Sequence, residues 1–518
     1  MEIIKDYIRP SNIAAPIIQQ IEIEYDCIIP DNMPDALQVS VVEEMAYLDG
    51  ARVDNTFTVS EFTVNYNIIY VSDSEETPVK SFTSISKHSQ TSDISSVNKD
   101  TLLKGTAYVD SVEYTLINNR KISIKSSIRI ELNGTDNSQL GIASDVAGID
   151  DIKTLTRNAE VFVCTENVTT TCDISSNLEL PGIKQPFEKI LRSVPQLCDL
   201  NYTTTDDKMQ IRGNLSICTL YICADNMRPI QIMENQIPFT HSLPIEPCDN
   251  KQCRLTDYSI KHYQTEIIED SDGIRRILNV NATVVFNVKT YTGEELLVLE
   301  DAFSLQNDLS VVKEDYSVIS SMEDVLSTFV VKDVIGKTED TPAIKEIADI
   351  NCNLSNIEVT CKDKEIVLNG EIICKVLYLT DDVTSPVSTF TSKLIFEQNI
   401  EQRNSTVDSV PVITPEINHI SFGLISDSET ELRISITIRG IIAEYCELSV
   451  VADIVENESD DENICDNTAP ILLYIVQPGD SIWKISKKYR MDPELIKKVN
   501  RLPEPYIIYP GQKIIISK

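Results

Sequence analysis

Histidine, cysteine and paired carboxylates carry most catalytic and metal-binding chemistry, so their spacing is the first guide to what a chain can do. Two cysteine pairs, Cys218 with Cys223 and Cys248 with Cys253, each have four residues between their members, and neither lies beside a second His or Cys pair that would complete a zinc site. The histidines neighbour no recurring Cys or carboxylate pattern; they are His88, His241, His262 and His419. We therefore expect the 13 cysteines to be reduced, mostly buried thiols of a cytosolic protein, with no metal site and no cofactor.

Catalytic motifs are also missing from the sequence. It contains no G-x-S-x-G elbow, no H-E-x-x-H helix and no Walker-type glycine loop. The 81 Asp and Glu residues leave a glycosidase-like carboxylate pair open. Most of the chain, however, consists of three variants of one β-rich segment, whereas a catalytic domain is normally present once. We therefore predict that the protein is not an enzyme and has no catalytic residues.

Two landmarks identify the repeated segments. Each copy has a strand pattern that ends on a tyrosine with an acid shortly after it; the tyrosines are Tyr70, Tyr221 and Tyr378. A second strand pattern, which opens on an arginine, follows in each copy; the arginines are Arg120, Arg276 and Arg433. The landmarks repeat at about 155 residues, which is long enough for each copy to own a core, so we expect separate domains rather than a solenoid. Each tyrosine is expected to pack at a strand end with its hydroxyl wet or hydrogen-bonded, and each arginine to be a solvated strand-edge charge.

Alternating segments indicate the fold class of the copies. From Ile122 to Leu132, apolar and polar residues alternate with a period of two, and a similar pattern begins at Ile434. This period is typical of antiparallel strands with one wet face. A proline followed by an apolar stretch, at Pro186 and at Pro342, predicts a short helix in the second and third copies. The sequence thus predicts mainly-β domains, sandwiches or partial barrels, with short helices.

A change in composition near the C-terminus completes the predicted organisation. The expected segments are a first copy at 1–150 that is degenerate before Tyr70, a second at 151–310, a third at 311–454, an acidic linker at 455–470 and a small module at 471–518. The chain has a net charge of −36, of which residues 472–518 carry +5 and the rest −41. Such an acidic body repels phosphate backbones and anionic lipid, which argues against nucleic-acid binding. A signal peptide and an apolar run of the ~20 residues needed to span a bilayer are not seen, so a cytoplasmic protein is expected.

The C-terminal module has a regular pattern of caps and apolar runs. The expected elements are, in order, a strand at Tyr474–Val476, a helix capped by Asp480, a second helix capped by Asp492 and ended by Asn500, and a strand at Ile514–Ile516. This order is strand–helix–helix–strand. The only tryptophan, Trp483, is expected in the core of the module rather than on a ligand platform.

The same segment resembles a LysM domain. The resemblance rests on Y-x-V-Q-P-G-D-S-I-W from Tyr474, on Asn500, and on Y-P-G-Q-K-I-I-I from Tyr509. It implies binding of glycans that contain N-acetylglucosamine, such as peptidoglycan or chitin, in a groove between the loop after the first strand and the loop before the last. The resemblance places in or near this groove the residues Gly479, Asp480, Ser481, Ile482, Asn500, Arg501, Leu502, Ile508, Tyr509, Pro510 and Gly511.

The whole architecture, three acidic β-rich copies and one LysM, resembles clostridial spore-coat morphogenetic proteins with SPOCS domains, on motifs such as GEIICKVLYLTDD from Gly370. That resemblance implies a non-enzymatic scaffold that is made in the mother cell, lies at the forespore surface in the spore coat, and contacts the ATPase of the coat's basement layer through its LysM. Two alternatives stay open: a cell-wall protein whose LysM binds peptidoglycan, and a wall hydrolase that the LysM targets.

Overall fold

The computed structural model of the protein is built almost entirely of antiparallel β-strands. It describes residues 2–8, 17–54, 57–73, 78–93, 101–136, 139–148, 151–205, 207–223, 229–245, 251–339, 341–382, 384–457 and 471–517. The first strands are β1 (Glu2–Ile8), β2 (Ile17–Ile28), β3 (Ala36–Asp54), β4 (Phe57–Ser72), β5 (Val79–Asp93), β6 (Thr101–Asn118), β7 (Lys121–Asp136) and β8 (Leu140–Ala147). They are followed by β9 (Ile152–Glu179), β10 (Lys189–Thr204), β11 (Lys208–Ile222), β12 (Ile230–Pro244), β13 (Lys251–Glu269) and β14 (Arg275–Ser304).

The rest of the chain contains six more long strands and the small C-terminal module. The strands are β15 (Leu309–Gly336), β16 (Glu346–Lys362), β17 (Glu365–Leu379), β18 (Val387–Glu401), β19 (Val410–Leu424) and β20 (Glu429–Glu456). The module consists of β21 (Ile471–Ile475), α1 (Ile482–Tyr489), α2 (Pro493–Val499) and β22 (Lys513–Ser517). Among the described residues, neither helix has the length or apolar character needed to cross a membrane.

Three units of six strands share one topology; they are unit 1 (β2 to β7), unit 2 (β9 to β14) and unit 3 (β15 to β20). In each unit the second, third and fourth strands form a meander sheet, and the sixth strand lies between the first and the fifth in a second sheet. All of these pairs are antiparallel. Buried residues of both sheets form one core in each unit, so the mainly-β sandwich prediction is confirmed. The segment boundaries at 150, 310 and 454 stay predictions.

The short helices predicted in the second and third copies are wrong. The stretches after Pro186 and Pro342 are the strands β10 and β16, and the described part of the three units contains no helix. Ala348, Ile350 and Cys352 are buried at alternate positions of β16, which is the strand period. A short apolar run does not by itself distinguish a buried strand from a helix, and here pairing with the next strand of the meander decides the conformation.

The three recurrent tyrosines have the role that the sequence predicts. Tyr70, Tyr221 and Tyr378 are fully buried near the ends of equivalent strands. Each hydroxyl donates to a backbone carbonyl 36 residues earlier in the chain, at 2.9, 3.4 and 3.2 Å respectively. The tyrosines therefore pin the loop that precedes each meander sheet, because a buried hydroxyl without a partner would cost free energy.

The recurrent arginines follow the prediction in only one of the three units. The guanidinium of Arg120 donates to the carbonyl of Pro30 at 2.9 Å and to Asp35 at 2.6 Å, and that of Arg276 donates to the carbonyl of Lys184 at 2.8 Å. These two side chains clamp the loop after the first strand instead of lying free in solvent. Arg433, by contrast, is half exposed and pairs with Glu431 of its own strand.

The sequence also assigned the third arginine to the wrong position. The carbonyls of Arg120, Arg276 and Ser428 accept the equivalent backbone hydrogen bonds from the residue after the first strand, so Ser428 and not Arg433 is the third copy of this position. In unit 3 the ammonium of Lys337 donates to the carbonyls of Thr338 and Thr341. Their equivalents in unit 2 are the carbonyls of Pro181 and Lys184, to which Arg276 donates. A lysine from a different point of the chain thus replaces the arginine clamp.

The three units are joined by hydrophobic cores to which more than one unit contributes. One shared core lies where the meander sheets meet and contains Ile69, Leu220 and Leu377 from equivalent positions of the three units. Two others join the pair β1/β8 to the far ends of β9/β14 and of β15/β20; these three two-stranded ends are called ribbons 1, 2 and 3 below. The length of the sequence repeat predicts a core within each unit but does not predict these additional cores between units.

Polar contacts close the three units into a ring. The side chain of Asn67 in unit 1 donates to the carbonyl of Leu191 in unit 2 at 3.3 Å. The equivalent Cys218 in unit 2 reaches the carbonyl of Ala348 in unit 3, and the equivalent Lys375 in unit 3 reaches that of Val42 in unit 1. Since contacts run from unit 1 to 2, 2 to 3 and 3 to 1, the body has an approximate three-fold arrangement.

Candidate functional site

The groove predicted from the sequence lies in the C-terminal module, which folds around its own small core. Strands β21 and β22 pair antiparallel, and α1 and α2 cover one face of this two-stranded sheet. The predicted strand–helix–helix–strand order is confirmed. The buried core consists of Val476, Ile482, Ile485, Met491, Ile496, Ile514 and Ile516.

Asp480 holds the first groove loop rather than capping the helix. Ser481 is the N-cap of α1, because its hydroxyl accepts the N–H of Lys484 at 3.2 Å. The carboxylate of Asp480 instead accepts the N–H of Gln477 and the hydroxyl of Tyr474, both at 2.7 Å. These hydrogen bonds, that of Gln477 foremost, keep the pKa of Asp480 below its ordinary value. The carboxylate of Asp480 therefore stabilises the turn and links it to the side chain of Tyr474.

The second helix starts and ends as the sequence predicts. Asp492 caps it by accepting the N–H of Glu494 at 2.9 Å, with Pro493 in the first turn, and Asn500 is the C-cap. The amide of Asn500 also accepts the N–H of Ile515 at 2.6 Å and donates to its carbonyl at 2.8 Å. Asn500 thus connects α2 to β22, and its side-chain oxygen and nitrogen both form hydrogen bonds within the module.

The two groove loops lie side by side. The N–H of Gly511 donates to the carbonyl of Val476 at 2.8 Å, and the N–H of Val476 donates to that of Gln512 at 2.9 Å. Gly479 and Gly511 have φ angles of 87° and 85°, a conformation that a side chain would strain. The sequence correctly places these glycines at turns, and both are exposed at the surface.

Apart from Asp480 and Asn500, which are partly buried, the predicted groove residues fall into two sets. Exposed ones that a ligand can reach are Gly479, Ser481, Arg501, Tyr509, Pro510 and Gly511. Ile482 belongs to the buried core, and Leu502 and Ile508 are half-buried against it. The sequence missed Ile507, which is 56 % exposed beside Tyr509 at 65 %; its only signal is the alternation with the half-buried Ile508. A ligand-binding role for any of these residues stays a prediction.

Trp483 is neither in the core of the module nor on the groove. Its indole N–H donates to the carboxylate of Asp301 on β14 at 2.8 Å. Its ring packs edge-on against Phe303, with 5.0 Å between ring centroids. The prediction of a core tryptophan is therefore wrong, because the partner of Trp483 lies in ribbon 2 of the body.

Charged pairs extend this contact between the module and the body. Lys487 pairs with Asp301, and Arg490 pairs with Asp308 at 2.8 Å. On the other side of the contact, Lys153 pairs with Asp492 at 2.7 Å. The hydrogen bond from Lys153 is the main cause that lowers the pKa of Asp492. Of the predicted linker, only 455–457 lie within the described residues.

Cys218, His88 and His241 lie within strands and form hydrogen bonds to neighbouring groups. Cys218 is three-quarters of the way along β11 and donates to a neighbouring carbonyl, and burial raises its pKa to about 12. His88 and His241 hydrogen-bond to Ser86 and Thr170, and burial lowers the pKa of both rings. The side chains of the other predicted pair, at 248 and 253, lie outside the described residues. No group of three or more metal-ligating side chains occurs in the described part of the chain.

Comparisons with known proteins agree with this architecture. The family described as LysM domain matches residues 474–517, and the family described as SipL, SPOCS domain matches twice, at 186–268 and 343–425. The chain therefore carries a C-terminal LysM domain, and its second and third copies each contain a SPOCS match.

Curated relatives share a short segment with the chain. SpoIVD-associated factor A of Bacillus subtilis (strain 168) is 54 % identical over 43 residues, which is 8 % of this chain and 11 % of that protein. Spore coat assembly protein ExsA of Bacillus cereus is 51 % identical over 43 residues, 8 % of this chain and 7 % of that protein. The match therefore spans about a tenth or less of each relative. No solved structure matches the chain.

Proposed function

We propose that this protein is a non-enzymatic scaffold of spore-coat assembly. The observation that carries the proposal is the combination, in one chain, of two SPOCS matches and a LysM domain. The names of the two relatives, a spore coat assembly protein and a SpoIVD-associated factor, support the same setting. The body suits a scaffold, because its three units close into a ring around shared cores. We propose the mother-cell cytoplasm as its compartment, with the protein located at the forespore surface.

The LysM domain is proposed as the part that docks to the coat-basement ATPase. An exposed aliphatic face on its sheet supports a protein contact: Ile471, Leu473 and Ile475 are each more than half exposed on β21. Ile515, opposite Leu473 on β22, extends the same face. Contiguous apolar surface of this kind is typical of protein–protein contact sites. The positive net charge of the domain sets it apart from the acidic body and favours an acidic partner.

Binding of peptidoglycan through N-acetylglucosamine is the second candidate. The exposed loops around Gly479 and Gly511 favour it, because they offer unshielded backbone groups beside the apolar side chains of Ile507 and Tyr509. Apolar side chains beside a few polar groups are typical of small-ligand binding sites. The remaining alternative, a wall hydrolase targeted by LysM, needs a catalytic centre that none of the sequence motifs above supplies.

The experiment compares purified full-length protein on two ligands, the purified coat ATPase and purified peptidoglycan. A scaffold binds the ATPase in a pull-down and releases no muropeptides from the wall. Leu473→Arg should weaken ATPase binding, whereas Ile395→Arg, on an isoleucine of unit 3 that is 80 % exposed, should not. Sedimentation with peptidoglycan that is lost in Tyr509→Ala, without ATPase binding, would instead establish the second candidate. Muropeptide release would refute a non-enzymatic role.

A further inference from the structure

The body offers three equivalent places where a domain can dock, at the ribbons. Asp145, Asp301 and Asp453 each follow a register shift in ribbons 1, 2 and 3. In each case the carboxylate accepts the N–H of the next residue, at 2.8, 3.0 and 2.8 Å. The register shift and the hydrogen bond of the carboxylate therefore recur in all three ribbons.

The LysM domain occupies only one of these places. Asp301 binds Trp483 and Lys487, and its side chain is 17 % exposed. Asp145 and Asp453 are exposed residues of ribbons 1 and 3. A position of the same chemistry is thus covered in one ribbon and uncovered in the two others.

Ribbon 2 differs from the others in what surrounds the aspartate. Two residues after Asp301 comes Phe303, whose buried ring supports the indole of Trp483. The equivalent residues are Ala147 in ribbon 1 and Val455 in ribbon 3, and neither offers an aromatic ring. Lys153, directly across from Phe303, adds the ion pair with Asp492. Aromatic packing combined with paired charges gives both orientation and selectivity.

We infer that ribbon 2 is an interaction surface for the chain's own helix α1, and that it holds the LysM domain in one fixed orientation as a fourth lobe of the body. The docking face of the domain consists of Trp483, Lys487 and Arg490, which are spaced to lie on one side of α1 and its C-cap. The groove loops are elsewhere on the domain, and Ser481, Tyr509 and Gly511 stay exposed in the docked arrangement. Docking is therefore compatible with an open groove. This inference goes beyond the proposed function and holds whichever ligand the groove takes.

Trp483 makes the inference directly testable, because it is the only tryptophan in the chain. In the full-length protein its emission should be shielded from acrylamide. Asp301→Ala should increase the acrylamide quenching constant several-fold, and Lys487→Ala, a change on the domain side at a partly exposed residue, should do the same. Asp145→Ala and Asp453→Ala are matched controls, since each removes the same backbone cap without touching the LysM domain. They should leave quenching unchanged.

Three outcomes would overturn the inference. Equal quenching in Asp301→Ala and in the two control variants would mean that Trp483 does not rest on ribbon 2. Quenching that rises on dilution of the wild-type protein would mean that the LysM domain docks on a second copy. Quenching insensitive to salt would contradict the ion pairs, because pairs that remain partly exposed are screened as ionic strength rises. Loss of the melting transition in one variant does not confuse the test, since the Asp301 and Lys487 changes lie on different domains.

Discussion

Replacement of Arg192 by methionine should destabilise the body more than any surface charge change, because Arg192 links all three units. Its side chain is 1 % exposed and pairs with Glu43 of unit 1 and, at 2.6 Å, with Asp349 of unit 3. Removing one member of a buried charge network costs about 3–5 kcal/mol, since the remaining charges stay desolvated and unpaired. The carboxylates of Glu43 and Asp349 are 16 % and 23 % exposed, which places the expected loss near the lower end, about 3 kcal/mol.

The loss should depend on pH. Burial raises the pKa of Glu43, but the charge and hydrogen bond of Arg192 outweigh burial and hold the pKa below its ordinary value. The wild-type pair therefore contributes stability above the unfolded pKa, about 4.3, and loses it only as pH falls through the lower folded pKa. Without Arg192 burial dominates and the folded pKa of Glu43 rises above the unfolded one. The variant then loses stability as pH rises between those two values, so its deficit should be larger at about pH 7.5 than at about pH 5.

Urea denaturation followed by circular dichroism measures both effects. Arg212→Met is the matched control, because Arg212 is an exposed arginine of the same unit and its loss should change stability by no more than about 0.5 kcal/mol. Adding Glu43→Gln to Arg192→Met should recover part of the loss, since it removes a stranded charge. Equal denaturation midpoints for the Arg192 and Arg212 variants, or a deficit that does not shrink at acid pH, would refute the role given to Arg192.

Three further changes test the fold and the LysM domain. Burial raises the pKa of Glu44 to about 7, above its unfolded value, so the wild type loses stability as pH rises between the two values. Glu44→Gln should therefore raise the urea midpoint more at about pH 8 than at about pH 5; equal gains would contradict this. Asn500→Ala should cost about 1–3 kcal/mol of LysM stability by leaving the N–H of Ile515 unpaired, measured by Trp483 fluorescence in urea, with the exposed Lys498→Ala expected to be neutral. In Gly440→Ala the new Cβ would lie 2.7 Å from the Cα of Ile413, so the melting temperature should fall, whereas Gly423→Ala, which meets open space, should not lower it.

Local patterns in the sequence predicted the strand class, the buried tyrosines and the elements of the LysM domain, because each depends on residues close together in the chain. The alternation from Ile122 and the caps of α2 are of this kind. The same local reasoning failed where two adjacent residues could serve one role, as with Asp480 and Ser481 at the start of α1. It also failed at Arg433, since only the backbone hydrogen bonds identify Ser428 as the equivalent of Arg276.

Contacts between distant segments were beyond local pattern. Trp483 and Asp301 are 182 residues apart, and Arg192 and Asp349 are 157 apart. A tryptophan on an amphipathic helix is predicted to be in the core when its sequence neighbours, such as Ile482 and Ile485, are core residues. The residues around Trp483 do not indicate its contact with Asp301 in ribbon 2. For the candidate groove, the sequence predicted where the two loops lie. It did not predict which of their residues are buried, such as Ile482, and which are exposed, such as Tyr509.

The body combines a repeated frame with contents that do not repeat. At one equivalent position of the meander sheets the three units carry Val41, Arg192 and Asp349, and an ion pair joins the latter two across the interface. Interchanging the units would place like or unmatched side chains together there, so the charge pattern fixes their order around the ring. The ribbons also differ at an equivalent position, where ribbon 2 has Phe303 and ribbons 1 and 3 have Ala147 and Val455. The frame therefore repeats a docking position three times, and the side chains restrict it to one, which is how a body of three similar units can present a single LysM domain on a defined side.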